Sequence, residues 1–168
     1  MSNSNSNAAW LLELGEEVCV AVGERELQYL LADIPKFNFI SNAPSYCNKV
    51  FVWQGEIIPV MDIAQLILGR NIIRSKQEEL VVLTTFQSQV NAPLQRGAIL
   101  LSAIPIKIHI QDQQVCDFPP PQGTWQQLAV TCFEHPQKGP VPILNLERIF
   151  LTPASSLWSN TGGNSSAG

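Results

Sequence analysis

The sequence predicts a mainly β fold made of small barrels, with few and short helices. Three observations carry this reading. Short apolar runs rich in Val, Ile, Leu and Phe recur along the chain, separated by Gly, Pro, Asn and Ser punctuation. Only two stretches show helical periodicity, Asp62–Leu68 and Asn145–Leu151, and both are short. The unit that contains each of those stretches occurs twice, which implies two similar halves.

Taken in order, residues 1–8 are polar and of low complexity (SNSNSN) and are expected as a disordered tail. Trp10–Leu14 and Val18–Val22 read as strands joined at Gly15-Glu16, with apolar alternation at Val18, Val20 and Val22. Glu24–Ala32 reads as a helical turn running into a strand, or as an irregular strand. Pro35 and Pro44 frame an extended connection containing Phe37, Phe39 and Ile40. Val50–Trp53 and Glu56–Met61 are apolar runs around the turn signal Gln54-Gly55. Pro59 cannot donate to a ladder, which predicts an edge strand or a bulge. Asp62 suits a helix N-cap, with Ile63, Leu66 and Ile67 on one helix face and Gly69 where a C-cap stands.

Asn71–Glu78 reads as a connector; with Arg70, Arg74 and Lys76 it carries too little charge, and no interleaved aromatics, to argue for phosphate binding. Glu79–Phe86 is strand-like and Gln87–Leu94 a loop. Gly97–Ile110 is β-rich and broken at Pro105. Gln111–Trp125, with Pro119–Pro121, is expected as loop, and Gln127–Glu134 as strand. The unit then recurs. Ile58–Leu68 aligns with Val141–Leu151 at a spacing of 83 residues. Pro59 matches Pro142, Asp62 matches Asn145, and Ile63, Leu66 and Ile67 match Leu146, Ile149 and Phe150. Thr152–Gly168 is expected as a flexible tail on which Trp158 alone could dock. Residues 9–151 thus form a single domain of two halves with a boundary near 70–78. The position of the first two strands and the last unit at opposite chain ends allows a strand crossover between the halves.

Composition narrows function. Of the 168 residues 45 % are hydrophobic and only 14 % charged, a surface poor enough in charge to suggest areas covered by partners. A net charge of −4 argues against nucleic-acid binding. Cys19, Cys47, Cys116 and Cys132 are far apart in sequence and read as reduced cytosolic thiols. No apolar run is long enough to span a membrane, so no membrane insertion is expected. His109 and His135 have no Cys, His or carboxylate at metal-ligand spacing, and no nucleophile–base or phosphate-loop motif occurs. The carboxylates Glu13, Glu16, Glu17, Glu24 and Glu26 read as a solvated face. No catalytic residue, metal or cofactor is expected. Tyr29, Leu30 and Leu31 are consecutive and apolar; because adjacent strand side chains face opposite ways, part of this run is a candidate docking patch.

These residues bring a family into view. Ala43–Arg70, APSYCNKVFVWQGEIIPVMDIAQLILGR, resembles the signature of CheW-type chemotaxis adaptors, in which an A-P turn leads to a G-V-x-N-L-R-G hairpin, then V-I-P-V-x-D-L and a short helix. The likeness extends over about 9–151. Trp10–Val20 resembles the family's F-x-L-G-x-E-x-Y-G-V, Arg96–Leu101 its V-G-L-x-V-D, and Pro142–Leu151 its L-L-D-L-x-x-L-L. The resemblance implies two SH3-like five-stranded β-barrel subdomains with short helices. It implies a non-catalytic, cytoplasmic scaffold that joins a methyl-accepting chemoreceptor tip to the regulatory domain of a CheA-type histidine kinase, in chemotaxis or type IV pilus motility. It implies partner contacts at Tyr29, Leu30 and Leu31 and at the hairpin Gln54, Gly55 and Glu56. Pro59, Asp62, Gly97, Pro142 and Asn145 are then structural. The chain departs from the pattern: Gln54 and Val52 replace the hairpin's Arg and Asn, Leu30 replaces an acid, and a second-half acid is missing at about Leu101–Ser102. The competing expectation is an SH3-like binding module for a nucleic acid or a small ligand.

Overall fold

The structure, a computed structural model, describes residues 7–31, 33, 35–74 and 79–151. The C-terminal tail with Trp158, the connector residue Lys76, and residues 1–6 of the expected N-terminal tail lie outside the described residues. The elements in order are β1 (Asn7–Gly15), β2 (Val18–Gly23), β3 (Leu27–Leu31), β4 (Asn38–Phe39), β5 (Lys49–Trp53), β6 (Glu56–Met61), α1 (Ile63–Leu68), β7 (Leu80–Phe86), β8 (Gln95–Leu101), β9 (Ile106–Ile110), α2 (Gln122–Leu128), β10 (Ala129–His135), β11 (Gly139–Leu144) and α3 (Leu146–Leu151). The fold is mainly β, arranged as two curled sheets with short helices.

The first sheet runs β10-β11-β2-β1-β9 and the second β3-β7-β8-β6-β5-β4. The second therefore has a sixth strand beyond the five expected, the two-residue β4 paired to β5. Neither sheet is contiguous in sequence. β1 and β2 pair with β9 and β11, while β7 and β8 pair with β3 and β6. The chain before α1's end and the chain after it are built alike: two strands in one sheet, then the remaining strands and a closing helix in the other. Each half thus lends an antiparallel pair of strands to the sheet completed by the other half.

The four lent strands explain the densest apolar runs. Each has one face toward its own sheet's interior and one toward a shared core. Leu12, Leu14, Val20, Val22, Val82, Ile99 and Leu101 meet in that shared core with Ile63, Trp125, Leu128, Leu146 and Ile149 from the three helices. A smaller cluster of Phe51, Ile58, Val60, Val81, Leu83, Ala98 and Leu100 fills the second sheet, and Leu11, Ala21, Phe133 and Val141 fill the first. A strand buried on both faces needs no polar alternation, so β2, β7 and β8 read as nearly continuous hydrophobic segments.

The recurring unit has the same form in both places. Asp62 Oδ1 accepts from the Gln65 N–H at 3.2 Å, and Asn145 Oδ1 accepts from the Arg148 N–H at 3.2 Å. Each therefore caps one of the free donors at its helix start. Gly69 closes α1 with φ 69°. The parallel bridges begin one residue after each proline, at Val60–Ala98 and Ile143–Ala21.

Several expectations are corrected. Pro59 does not mark an edge: β6 lies between β5 and β8. In a two-residue hairpin the closing pair, here Trp53–Glu56, is hydrogen-bonded and the pairs then alternate, so Val50–Pro59 is a non-hydrogen-bonded pair. The proline nitrogen points away from β5, and pairing with β8 starts only at Val60, so no ladder donor is lost. Gln111–Trp125 is not all loop. A single 3-10 turn covers Asp112–Gln114, and α2 starts at Gln122, directly after the prolines. Trp125 and Leu128, three residues apart on one helix face, are buried in the shared core. The strand after it starts at Ala129. Within Glu24–Ala32 the helical part is only a turn, closed by Glu26 N–H to Gly23 O at 3.0 Å, while the strand part stands as β3, with a register irregularity between Leu27 and Tyr29; Ala32 lies outside the described residues. Asn7 and Ala8, assigned to the tail, are held in β1 by pairing with Ile110 and His109.

Candidate functional site

The second sheet curls until its first strand meets its fifth. Tyr29 on β3 and Trp53 on β5 lie with ring centroids 5.6 Å apart. Register explains the meeting. Tyr29 pairs with Leu83 and Leu31 with Val81, both residues of that sheet's interior cluster, so Tyr29 and Leu31 share the inward face. Leu31 packs against the cluster, whereas Tyr29, one step nearer the open mouth, is 52 % exposed. Leu30 pairs with Val82 on the opposite face and is 37 % exposed at the free edge of β3. Of the three consecutive residues, Tyr29 and Leu30 are the accessible ones.

The hairpin joins the same mouth. Gln54 (φ 49°) and Gly55 (φ 79°) are both left-handed, the geometry of a type I′ turn. A Gly suits the second position because it has no Cβ to clash; Gln54 adopts the less favourable conformation with its side chain in solvent. Below the turn, Glu56 Oε2 accepts from Arg96 Nη1 at 2.7 Å. The same guanidinium donates through Nε to Gln28 Oε1 at 3.0 Å and lies 5.7 Å from the centroid of the Trp53 ring. One arginine from β8 therefore ties together β3, the base of the hairpin and an aromatic face. Its position in the partly exposed ion pair makes the group an orienting device more than a source of stability.

On the hairpin's outer face Val52 and Ile57 form a cross-strand pair, 63 % and 68 % exposed. Exposed Pro59 lies on the same face two residues further along. The mouth and this outer face together present aromatic, aliphatic and paired-charge chemistry on rigid strands. Aromatic and Arg groups meet there, with the polar groups bonded among themselves.

The structure brings Tyr29 and Glu56 into one cluster with Trp53, Arg96 and Gln28, and places Gln54 and Gly55 at its rim. Leu31 is set apart, partly buried against the second sheet's interior cluster. Sequence reasoning missed Trp53, Arg96 and Gln28 as members. A lone Arg before the apolar Gly97–Leu101 run was a usable signal; its partners, 40 and 68 residues away, were not readable. At about Leu101–Ser102, where the resemblance expects a second-half acid, Leu101 is fully buried and half-buried Ser102 donates to the Glu13 carbonyl at 3.3 Å.

Among the described residues no group of three or more His, Cys, Asp and Glu could hold a metal. His135 Nδ1 accepts from the Gln137 and Lys138 N–H groups at 3.1 and 3.2 Å and so serves its own turn. Burial pushes the Glu26 carboxyl up, opposed by the N–H that Gly23 donates to it. Arg74, one of the connector's basic residues, is structural: it makes a two-pronged ion pair with Asp62 at 2.9 and 3.0 Å and also donates to the Leu14 carbonyl. No helix among the described residues is long and apolar enough to cross a membrane.

No family model matches this sequence, and no curated protein matches it. Among solved structures, the chain is similar to the crystal structure of the scaffolding protein TtCheW from Thermoanaerobacter tengcongensis, with a TM-score of 0.66 and 14 % identity over 88 % of this chain and 94 % of that one. The fold is therefore CheW-like.

Proposed function

We propose that this protein is a non-catalytic scaffold that couples a chemoreceptor's cytoplasmic tip to the regulatory domain of a CheA-type histidine kinase in a cytoplasmic signalling array. The single observation that carries the reading is the CheW-like arrangement of both sheets, shared with a scaffolding protein over nearly the whole of each chain. The surface described above supports it, because an adaptor needs rigid docking faces and no reacting groups.

The departures then have a physical meaning. The resemblance places an arginine in the hairpin turn, where this chain has Gln54. Here the guanidinium comes instead from Arg96 on β8, anchored to Glu56 and laid against Trp53. A fixed, paired arginine presents a narrower set of donors than one at a turn tip, so the partner is matched to a more apolar and less basic surface. Exposed Leu30, Val52 and Ile57 make the same point.

The test is titration of folded variants against a kinase regulatory domain and a receptor cytoplasmic fragment. A leucine buried at an interface centre contributes about 1.5–3 kcal/mol. Leu30→Asp is expected to weaken binding of one partner at least tenfold with the fold retained. Gln54→Arg is expected to strengthen binding to a receptor tip carrying a carboxylate at the contact. Parent protein that binds neither partner would end the scaffold reading; variants that all bind like the parent would move the docking surface elsewhere.

A further inference from the structure

β10 is the outer strand of the first sheet, and its free edge is covered by a short segment of chain. Val115 bridges Phe133, the Cys116 N–H donates to the Cys132 carbonyl at 3.0 Å, and the Gln114 side-chain amide donates to the Glu134 carbonyl at 3.2 Å. β4 covers the equivalent edge of the other sheet. Such covers stop an open strand edge from pairing with other chains. In this one the two cysteines stand directly opposite, with Sγ atoms 3.6 Å apart. A disulfide needs about 2 Å, a closure that side-chain rotation on adjacent strands can supply.

We infer that Cys116 and Cys132 form a reversible disulfide that clamps the edge cover onto β10. A cleft of about 460 Å³ is lined by Cys116 and Cys132 together with Phe118, Gln122 and Val130. Hydrogen peroxide entering it meets Cys116. Cys116 is the more exposed thiol and reacts first; Cys132 is buried. The Cys116 thiolate attacks a peroxide oxygen, the O–O bond breaks, and hydroxide leaves and is protonated to water, giving a sulfenic acid. The Cys132 sulfur then attacks the Cys116 sulfur, the S–O bond breaks, and a second water leaves with the Cys132 proton. Two thiols lose two electrons to one peroxide. A dithiol reductant reverses the step by exchange.

The surroundings set the speed. Burial, foremost, pushes both thiols up, Cys132 to about 12, and Glu134 and Asp117 beside Cys116 also disfavour its thiolate. Oxidation is therefore slow at neutral pH and faster as pH rises toward the thiol range. This suits a clamp set under sustained oxidation, with thiols that otherwise stay reduced.

The experiment treats the full chain, carrying Cys19→Ser and Cys47→Ser, with hydrogen peroxide at mildly alkaline pH, followed by alkylation. Trypsin leaves both cysteines in one peptide, Ile108–Lys138, and chymotryptic cleavage after Trp125 separates them unless they are joined. The expected result is a peptide lighter by two hydrogens, resistant to alkylation, whose fragments part only with dithiothreitol. A disulfide closing a loop of this length should raise the melting temperature by about 6–12 °C over the reduced form. Adding Cys116→Ser or Cys132→Ser should abolish both effects. Full alkylation after peroxide, accumulation of sulfinic acid without a cross-link, or a cross-link that leaves the melting temperature unchanged would each overturn the proposal.

Discussion

Asp62 holds two roles on one carboxylate. It caps α1, and it pairs with Arg74 where both side chains are almost fully enclosed, 7 % and 6 % exposed. Its counterpart Asn145 has only the cap. Losing a cap costs about 0.5–2 kcal/mol, but leaving a buried guanidinium unpaired costs about 3–5 kcal/mol. Asp62→Asn keeps the cap and breaks the ion pair, so urea unfolding should show most of the larger loss. Adding Arg74→Met should recover much of it. At Gly97 the constraint is space: a Cβ there would lie 2.4 Å from the Phe150 ring, which is itself stacked on Phe86. Gly97→Ala is expected to destabilise by about 1–3 kcal/mol, and the same denaturation series with Phe150→Leu in the background should show a smaller loss. Glu26 gives a pH effect of definite sign. Its carboxyl is raised by burial, so the folded state holds the proton more tightly than the unfolded chain. The resulting penalty is absent below the unfolded value and develops as pH rises through the folded one. Glu26→Gln should therefore raise the melting temperature at neutral pH, with the gain shrinking in acid.

Among the elements, β3 and the β5–β6 hairpin decide what the protein can display. Period-two alternation leaves Leu30 at the surface and Leu31 inside, so identical substitutions at adjacent positions should have opposite consequences. Leu31→Asp puts a charge against Phe51, Val81 and their neighbours and should unfold the protein. Leu30→Asp should leave circular dichroism and melting unchanged while altering partner titration. The hairpin turn carries a small local strain at Gln54, since type I′ turns favour Asn-Gly. Gln54→Asn is expected to stabilise slightly, by about 0.5 kcal/mol, on the scale of other left-handed substitutions. A destabilised Gln54→Asn variant would show that the Gln54 side chain makes contacts that matter.

Across the whole molecule, strand exchange couples the halves. Each sheet needs two strands from the other half of the chain, and the shared core holds helices from both. Neither half can bury its apolar faces alone. A chain divided between residues 74 and 79 should therefore give two fragments that are unfolded separately and recover β-rich circular dichroism when mixed. Unfolding of the intact chain should be one cooperative transition. A fragment that folded by itself, or two separated melting steps, would show that the sheets are independent units.

Much of this was legible in the chain. The mainly β class, the hairpin at Gln54-Gly55, both caps and the repeat are local features: they depend on turn chemistry, on side-chain donors within three residues, and on periodicity. Those forces act along the sequence and leave marks there. The CheW-like resemblance likewise rested on local spacing. Other features belong to the tertiary structure. The sequence showed that Pro59 lacks a donor but not that its nitrogen faces a position where no partner waits. It showed a basic connector, not that Arg74 turns inward to Asp62. Three prolines hid α2 because their breaking effect ends at Pro121, while Trp125 and Leu128 are stabilised only by a core assembled from distant strands. The cluster of Tyr29, Trp53, Glu56 and Arg96 was equally hidden. Its members meet because a sheet twists and curls, and curling brings side chains together by geometry that no spacing between residues records.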